Sequence, residues 1–509
     1  MGHRETRSQA WRAVLECGRV KLYPNKAINM AIMLLSLLYV DLIIGFISWM
    51  TIMFLKSKSH NLMILTALTV LLSGCTTYKA RPLPSQPDLA MAVTPSLVKD
   101  APYPIKVEDG LDMTETAALA VLRNPDLRAA RLKKNVVKAQ AFSSGLFPDP
   151  QFTGNIDHPT GNAPGFINGY TGSLQFDVRS LFTHGASVRG AEDNLRSSEM
   201  DILWQEWQTI QKARSLYVQR YFTAEKIMLL KDIVDLYAGQ SARSGKALAA
   251  GDVTLEQAGA DITALMDART QLRNQERDAL TTDNSLNALL GLSATAVIRQ
   301  QGLSNPVIPP DKKVKSSLET VATRRPDLIA LQAAYQSQEE TLYKAVLQQF
   351  PSISIGISRA RDTSDVHTMG LGVTMDLPLF NGSKGEIAVQ SATRDQLWQE
   401  YQARLDTTRS EADVLWRQTG LLAKQIDDMK KQLPKIEDMA AKARKSSRTH
   451  DLPELSYVTL ENSLLSKKLE YLDLQQSLWT NLIGLDTVLA WPVLPVSAAK
   501  DENHVKKAL

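Results

Sequence analysis

The stretch from Ser352 to Phe380 constrains the fold more than any other. Ser352-Ile353-Ser354-Ile355-Gly356-Ile357-Ser358 alternates small or polar with apolar residues without a break. After a polar tip holding Arg361, Asp362, Ser364 and Asp365, Gly370-Leu371-Gly372-Val373-Thr374-Met375-Asp376-Leu377 alternates again. Alternation of period two belongs to half-buried strands, and two such runs around a polar tip predict a β-hairpin over 352–377. Leu377-Pro378-Leu379-Phe380 ends it, because proline has no N–H to give to the ladder. An isolated hairpin is barely stable in water, so this one must join other strands.

The chain holds a second copy. Gln151 to Ile156 and Gly172 to Val178 predict another hairpin, over 150–178. Asn124-Pro125-Asp126-Leu127 precedes the first hairpin as Arg325-Pro326-Asp327-Leu328 precedes the second. Phe147-Pro148-Asp149-Pro150 corresponds to Gln349-Phe350-Pro351, Leu181-Phe182 to Leu379-Phe380, and Leu289-Leu290-Gly291-Leu292 to Leu482-Ile483-Gly484-Leu485. Landmarks in the same order about 200 residues apart mark an internal duplication.

Each hairpin is followed by long helical periodicity. No proline occurs from Gly165 to Asn305. Leu195, Ile202, Ile210, Leu216, Leu230 and Val234 carry one run, and Gly245 and Gly251 break it. A returning run keeps a near-heptad rhythm through Leu255, Ala258, Ile262, Leu265, Leu272, Ala279 and Leu286. From Gly185 to Ser244 the outgoing run spans roughly 90 Å at 1.5 Å per residue. Its charges keep it out of lipid, so the helical pair projects into an aqueous space. The second copy has helices from Leu318 to Gln349, an outgoing run over 383–433, a break at Pro434, a turn near His450 and a last run through Val458, Leu465, Leu472 and Ile483. The second returning run is about a heptad shorter between matched landmarks.

Four strands per chain limit what can be built. Strands in a membrane must close, because open edges leave backbone groups unpaired in hydrocarbon. Outer-membrane barrels begin at eight strands, so four force an oligomer, a dimer giving eight and a trimer twelve. Ile353, Ile355, Ile357, Leu371, Val373, Met375 and Leu377 would then face lipid; Ser352, Ser354, Gly356, Gly372, Thr374 and Asp376 would face a polar lumen. The alternative is a soluble α+β domain in which the hairpins pack on helices.

The N-terminal region differs from the rest. Ala27 to Leu55 is largely apolar and reads as a membrane helix, against which Asp41 argues. Just after it, Lys56 to His60 is basic, Leu62 to Leu72 is apolar, and Leu72-Ser73-Gly74-Cys75 follows. That order is a secretory signal peptide, and it resembles a bacterial lipoprotein signal, in which Cys75 takes the lipid. Thr76 after it, not an aspartate, favours the outer membrane by the same resemblance. We expect residues 1–52 to be an upstream extension, with translation from Met53, and 53–74 to be the signal. Residues 75–110 read as a lipidated, proline-rich tether. The first repeat covers 111–292, a linker 293–315, the second repeat 316–490 and a polar tail 491–509.

Taken together, these residues resemble the TolC-like outer-membrane efflux channel family, in its lipoprotein branch, over about Leu111 to Leu489. The resemblance implies a homotrimer, a twelve-stranded membrane barrel and a long α-helical coiled-coil barrel in the periplasm. It implies an outer-membrane component of tripartite efflux, passive, docked at its helical tip to a periplasmic adaptor and an inner-membrane pump. A duct for type I protein secretion and a non-channel coiled-coil lipoprotein scaffold are the alternatives. Acidic residues near the start of the last helix ring the family's periplasmic gate; Glu461 matches one such position, and Val458 stands where a second is often aspartate. Arg243, Lys246, Arg444 and Arg448 flank the two turns and are candidate adaptor contacts.

Other chemistry is unsupported. Cys17 and Cys75 are the only cysteines, too few for a disulfide framework or a Cys-rich zinc site. The net charge of +4 is small and spread out, which implies no nucleic acid. His158, His184, His367 and His450 are scattered, with no catalytic or metal-binding spacing. The chain is expected to be no enzyme, and to carry no cofactor beyond the lipid on Cys75.

Overall fold

The structure is a computed structural model that describes residues 78–99, 105–160, 165–449 and 451–490, with only the backbone of Arg448. It divides into two units, residues 1–87 and 88–509. In the first, residues 78–87 are exposed chain without helix or strand. The 1–52 extension, the signal over 53–74, Cys75 and the tail from 491 lie outside the described residues.

Helix α1 (Met113–Arg123) opens on a reciprocal cap: Glu115 N donates to Asp112 at 2.7 Å, and Asp112 N donates to Glu115 at 3.0 Å. Helix α2 (Pro125–Ser144) follows at once, with proline at its first position and Asn124 Oδ1 accepting from Leu127 N at 2.9 Å. Strands β1 (Gln151–Asp157) and β2 (Gly169–Asp177) come next, then α3 (Arg179–Ala250) and the returning α4 (Leu255–Leu289). The second copy runs α5 (Asp311–Glu319), α6 (Val321–Arg324), α7 (Pro326–Leu347), β3 (Ser352–Arg361), β4 (His367–Asp376), α8 (Lys384–Arg448) and α9 (Glu454–Leu489).

The Pro-Asp-Leu landmarks have a shared job. Besides capping α2, Asn124 donates through Nδ2 to Leu289 O at 3.2 Å, at the end of α4. In the second copy Arg325 makes no cap, but its Nη1 reaches Val488 O at 3.2 Å, at the end of α9. Each thus ties the start of a short helix to the last turn of its own returning helix. Arg325 is itself enclosed by Asp327 at 2.7 Å, Thr408 at 2.8 Å and the face of Trp204 at 4.5 Å.

Several helix boundaries differ from expectation. Gly245 does not break α3; it lies exposed within the helix, where glycine costs only about 1 kcal/mol. Gly251 alone ends it, at φ +82°, with Asp252 N donating back to Ala247 O at 2.8 Å. Pro434 does not break α8 either: its missing N–H and ring clash cost roughly 3 kcal/mol, and packing along α9 offsets that. The second repeat's first helix starts at Asp311, inside the expected linker, because Pro309-Pro310 rather than Lys315 is the last extended segment.

The missing heptad also moves. The returning helices are nearly equal, 35 residues for α4 and 36 for α9. The outgoing ones differ, 72 residues for α3 and 65 for α8. The Leu-Gly-Leu landmark was misaligned: Gly291 follows α4 at φ +65°, whereas Gly484 lies inside α9, which ends instead at Ala490, φ +46°.

Helix α3 is the spine, packing along α1, α2, α4, α7 and α9. Val218 and Phe222 of α3 meet Leu478, Trp479, Leu482 and Ile483 of α9, so the two copies share one core. Leu230 and Ile233 of α3, Ala268 of α4 and Leu465 of α9 continue it toward the tip. The buried Tyr217 hydroxyl donates to Gln301 O at 2.8 Å; burial raises its pKa, which keeps that proton in place.

Candidate functional site

The strands form one antiparallel sheet in the order β1-β2-β3-β4. Its register sorts every side chain to a face. Phe152 pairs with Leu174, Leu174 with Ile357, and Ile357 with Leu371. Phe176 pairs with Ile355, and Ile355 with Val373. These residues share one face with Ile156, Ile353 and Met375. The other face carries Gln151, Thr153, Asn155, Ser173, Gln175, Ser352, Ser354, Thr374 and Asp376 (read from the same register). The division expected from alternation is therefore present across all four strands. The apolar face is uncovered: Ile355 is 52% exposed and Leu371 84%. At the end where the sheet joins the helices stand Phe147, Phe182, Phe350 and Phe380, all exposed. Among the described residues, sheet edges β1 and β4 have no strand partner on their outer sides. Among the described residues no helix is long and apolar enough to cross a membrane, and no group of side chains is arranged to hold a metal.

At the other extreme are the two helical turns, and here duplication organises the polar groups. Asp261, in the second turn of α4, accepts from Ser244 of α3 and from Gln240 Nε2 at 3.2 Å. Two hundred residues on, Glu461 in α9 accepts from the Arg444 guanidinium of α8. These are equivalent positions with different donors. The first copy satisfies its acid with neutral groups; the second uses a full charge. Glu461 is buried and Arg444 half exposed, and Oε2 of Glu461 has no hydrogen-bond partner among the described residues. The Glu461 charge pushes the Arg444 pKa up.

The remaining expected residues fall around this pair. Arg243 of α3 reaches Glu454 of α9 at 2.7 Å, a bond between the two copies, and Ser447 donates to the same carboxylate at 2.6 Å. Lys246 is exposed and has no ion-pair partner among the described residues. Val458, which departs from the acid often found at that position in the family it resembles, is buried in the helical packing. The Arg448 side chain lies outside the described residues. Sequence reasoning missed Glu454 and Asp261; the 200-residue offset from Glu461 was the signal that could have found Asp261.

No family model and no curated protein matches the sequence. Solved structures do match it. CusC, whose crystal structures are described in terms of folding and transmembrane channel formation, is 17% identical with a TM-score of 0.61, over 80% of this chain and 98% of that one. The CmeC outer membrane channel of Campylobacter jejuni is 15% identical with a TM-score of 0.63, over 80% of this chain and 94% of that one. The outer membrane protein VceC of Vibrio cholerae is 14% identical with a TM-score of 0.61, over 74% and 96%. The chain has the fold of the TolC-like outer-membrane channels. In that fold the sheet is one portion of a β-barrel and the long helices one portion of a helical barrel.

Proposed function

We propose that the chain is the outer-membrane channel of a tripartite efflux system, a passive trimeric duct. In this reading an inner-membrane pump supplies the energy and a periplasmic adaptor grips the helical tip. The observation that carries it is the four-stranded sheet, apolar on an uncovered face and open at both edges. Such a sheet is stable in a bilayer only if β1 and β4 pair with neighbouring copies until the ring closes. Two copies would give eight strands, whose interior side chains fill the lumen; three give twelve and leave a passage. The helical region agrees. Leu255, Ile262, Met266 and Leu280 of α4, and Val389, Val414, Leu421 and Met439 of α8, are exposed and suit burial against adjacent protomers. A lipid on Cys75 would add a second hold on the membrane.

The test is the mass of the mature protein, extracted in mild detergent, by light scattering with detergent subtracted. Three copies per particle are expected. A monomer that stays soluble once its lipid is removed would overturn the channel.

Within this reading the Arg444–Glu461 pair latches the closed tip, and Arg243, Lys246 and Arg448 offer the adaptor its contacts. Three such acids around one axis attract cations into the constriction, and Arg444 mutes them. In planar bilayers, Glu461→Ala is expected to weaken block by a multivalent cation roughly tenfold, about 1.4 kcal/mol. Arg444→Ala should strengthen the block, because it unmasks the carboxylate. An unchanged block in both variants removes the pair from the gate.

A further inference from the structure

The apolar face of the sheet does not stay apolar to its end. Following its rows toward the hairpin loops, Ile357 and Leu371 give way to Arg359 and Met369, then to Tyr170, Arg361 and His367. On the opposite face the same rows hold Gly169, Thr171, Ser358, Ala360, Thr368 and Gly370, without a single cation. The positive charge at this end is therefore placed on the outer surface of the sheet, not toward the lumen. Arg361 is committed to the loop, its Nε donating to Asp365 at 2.6 Å. Arg359 is exposed and has no hydrogen-bond or ion-pair partner among the described residues.

The height fits a membrane boundary. Leu377, next to the phenylalanines at the helical end, is eight residues from Met369, the Cα partner of Arg359. At ~3.3 Å per residue that is about 26 Å along the strand, or about 20 Å along the membrane normal at a tilt near 40°. The apolar band of outer-membrane barrels is roughly 25 Å tall. An arginine at its upper edge extends its stem along the acyl chains and places its head among the lipid head groups. A guanidinium there is unpaired unless the head groups supply an anion, and its planar fork matches two phosphate oxygens.

We propose that Arg359, beside Arg361 and the Tyr170 edge, forms a binding site for the anionic phosphomonoester groups of lipid in the outer leaflet. Three protomers would carry three such sites around the barrel, fixing its height in the bilayer from outside. This inference rests on the membrane-barrel reading above.

The test uses the full chain purified in detergent and native mass spectrometry of retained lipid. The probes are lipid A carrying two phosphates, lipid A carrying one, and phosphatidylcholine. Wild type should retain the doubly phosphorylated probe over phosphatidylcholine by about tenfold or more, as charge-assisted hydrogen bonds of this kind allow. Arg359→Gln should lose most of that preference, and Arg359→Lys should keep part of it. Equal retention of the three probes by wild type, or an unchanged preference in Arg359→Gln, overturns the site. Ile355→Arg separates the two readings. If it blocks barrel assembly while wild type shows no preference for the phosphomonoester probes, the lipid site alone is wrong; if it assembles normally, the membrane face is wrong and the site falls with it.

Discussion

Ile355→Arg is expected to abolish assembly of the channel in the outer membrane, and Ser354→Arg, one residue away, to leave it assembled. Ile355 lies mid-strand on the apolar face, between Phe176 of β2 and Val373 of β4. An arginine at the bilayer midplane of a barrel costs about 2–4 kcal/mol, and every copy in the ring bears it. Summed over three protomers this rivals the whole stability of an ordinary domain, about 5–15 kcal/mol. Ser354 points to the other face, with Asp177 and Thr374 as its Cα partners, where an added charge meets water. Because the side-chain period in a strand is two, the one-residue step changes the solvent completely. The measurement is the fraction of heat-resistant oligomer in isolated outer membranes. Comparable oligomer from both variants would mean that neither face meets lipid.

The same two-residue period explains why the sheet was legible in the sequence. Ser352 to Ser358 and Gly370 to Leu377 announce strand, face and hairpin together, and the duplication supplies the other pair. The hairpins are longer than the clean alternation, since β3 continues to Arg361 and β4 begins at His367. Those end residues break the apolar pattern, since Arg359, Arg361 and His367 stand in the rows where apolar side chains would continue it. Helix ends were less legible. Gly245 and Pro434 are local breakers, but each sits in a helix of 65 residues or more whose packing along its partner outweighs one poor residue. The Leu-Gly-Leu landmark failed for a related reason. Gly291 needs its positive φ, and an added Cβ would lie 2.9 Å from Arg123 O; Gly484 is helical and needs neither. Identity of letters does not establish identity of backbone role.

The tip shows the limit most clearly. Glu461 was visible as an acid near the start of the last helix. That Arg444 would cover it depends on how α8 and α9 are phased, which no periodicity in either helix states. The two copies make the point by comparison: Ser244 with Asp261 and Arg444 with Glu461 occupy matching places, yet only the second is an ion pair. Duplication preserved the geometry and changed the electrostatics. At these matching places each chain carries one charged and one neutral version of the same contact.

Removing Asp486 should be the most costly single change in the helical body. Its carboxylate is fully buried and takes Arg214 Nη1 at 2.8 Å, joining α9 of the second copy to α3 of the first. Arg214 is itself about nine-tenths buried, and its other hydrogen bond is to neutral Gln211 at 3.0 Å. Asp486→Ala therefore strands a largely buried guanidinium, at a cost of roughly 3–5 kcal/mol. The pair itself is a different matter. Desolvating both ions offsets most of their attraction, so the double replacement Arg214→Leu with Asp486→Leu should lie near wild type. Guanidinium unfolding of the detergent-solubilised chain, followed by helical circular dichroism, compares the three proteins. A large loss in Asp486→Ala with recovery in the double variant means that the bond selects how the two repeats register. Equal losses in both mean that it supplies stability outright, and that the two copies depend on this one contact to stay packed.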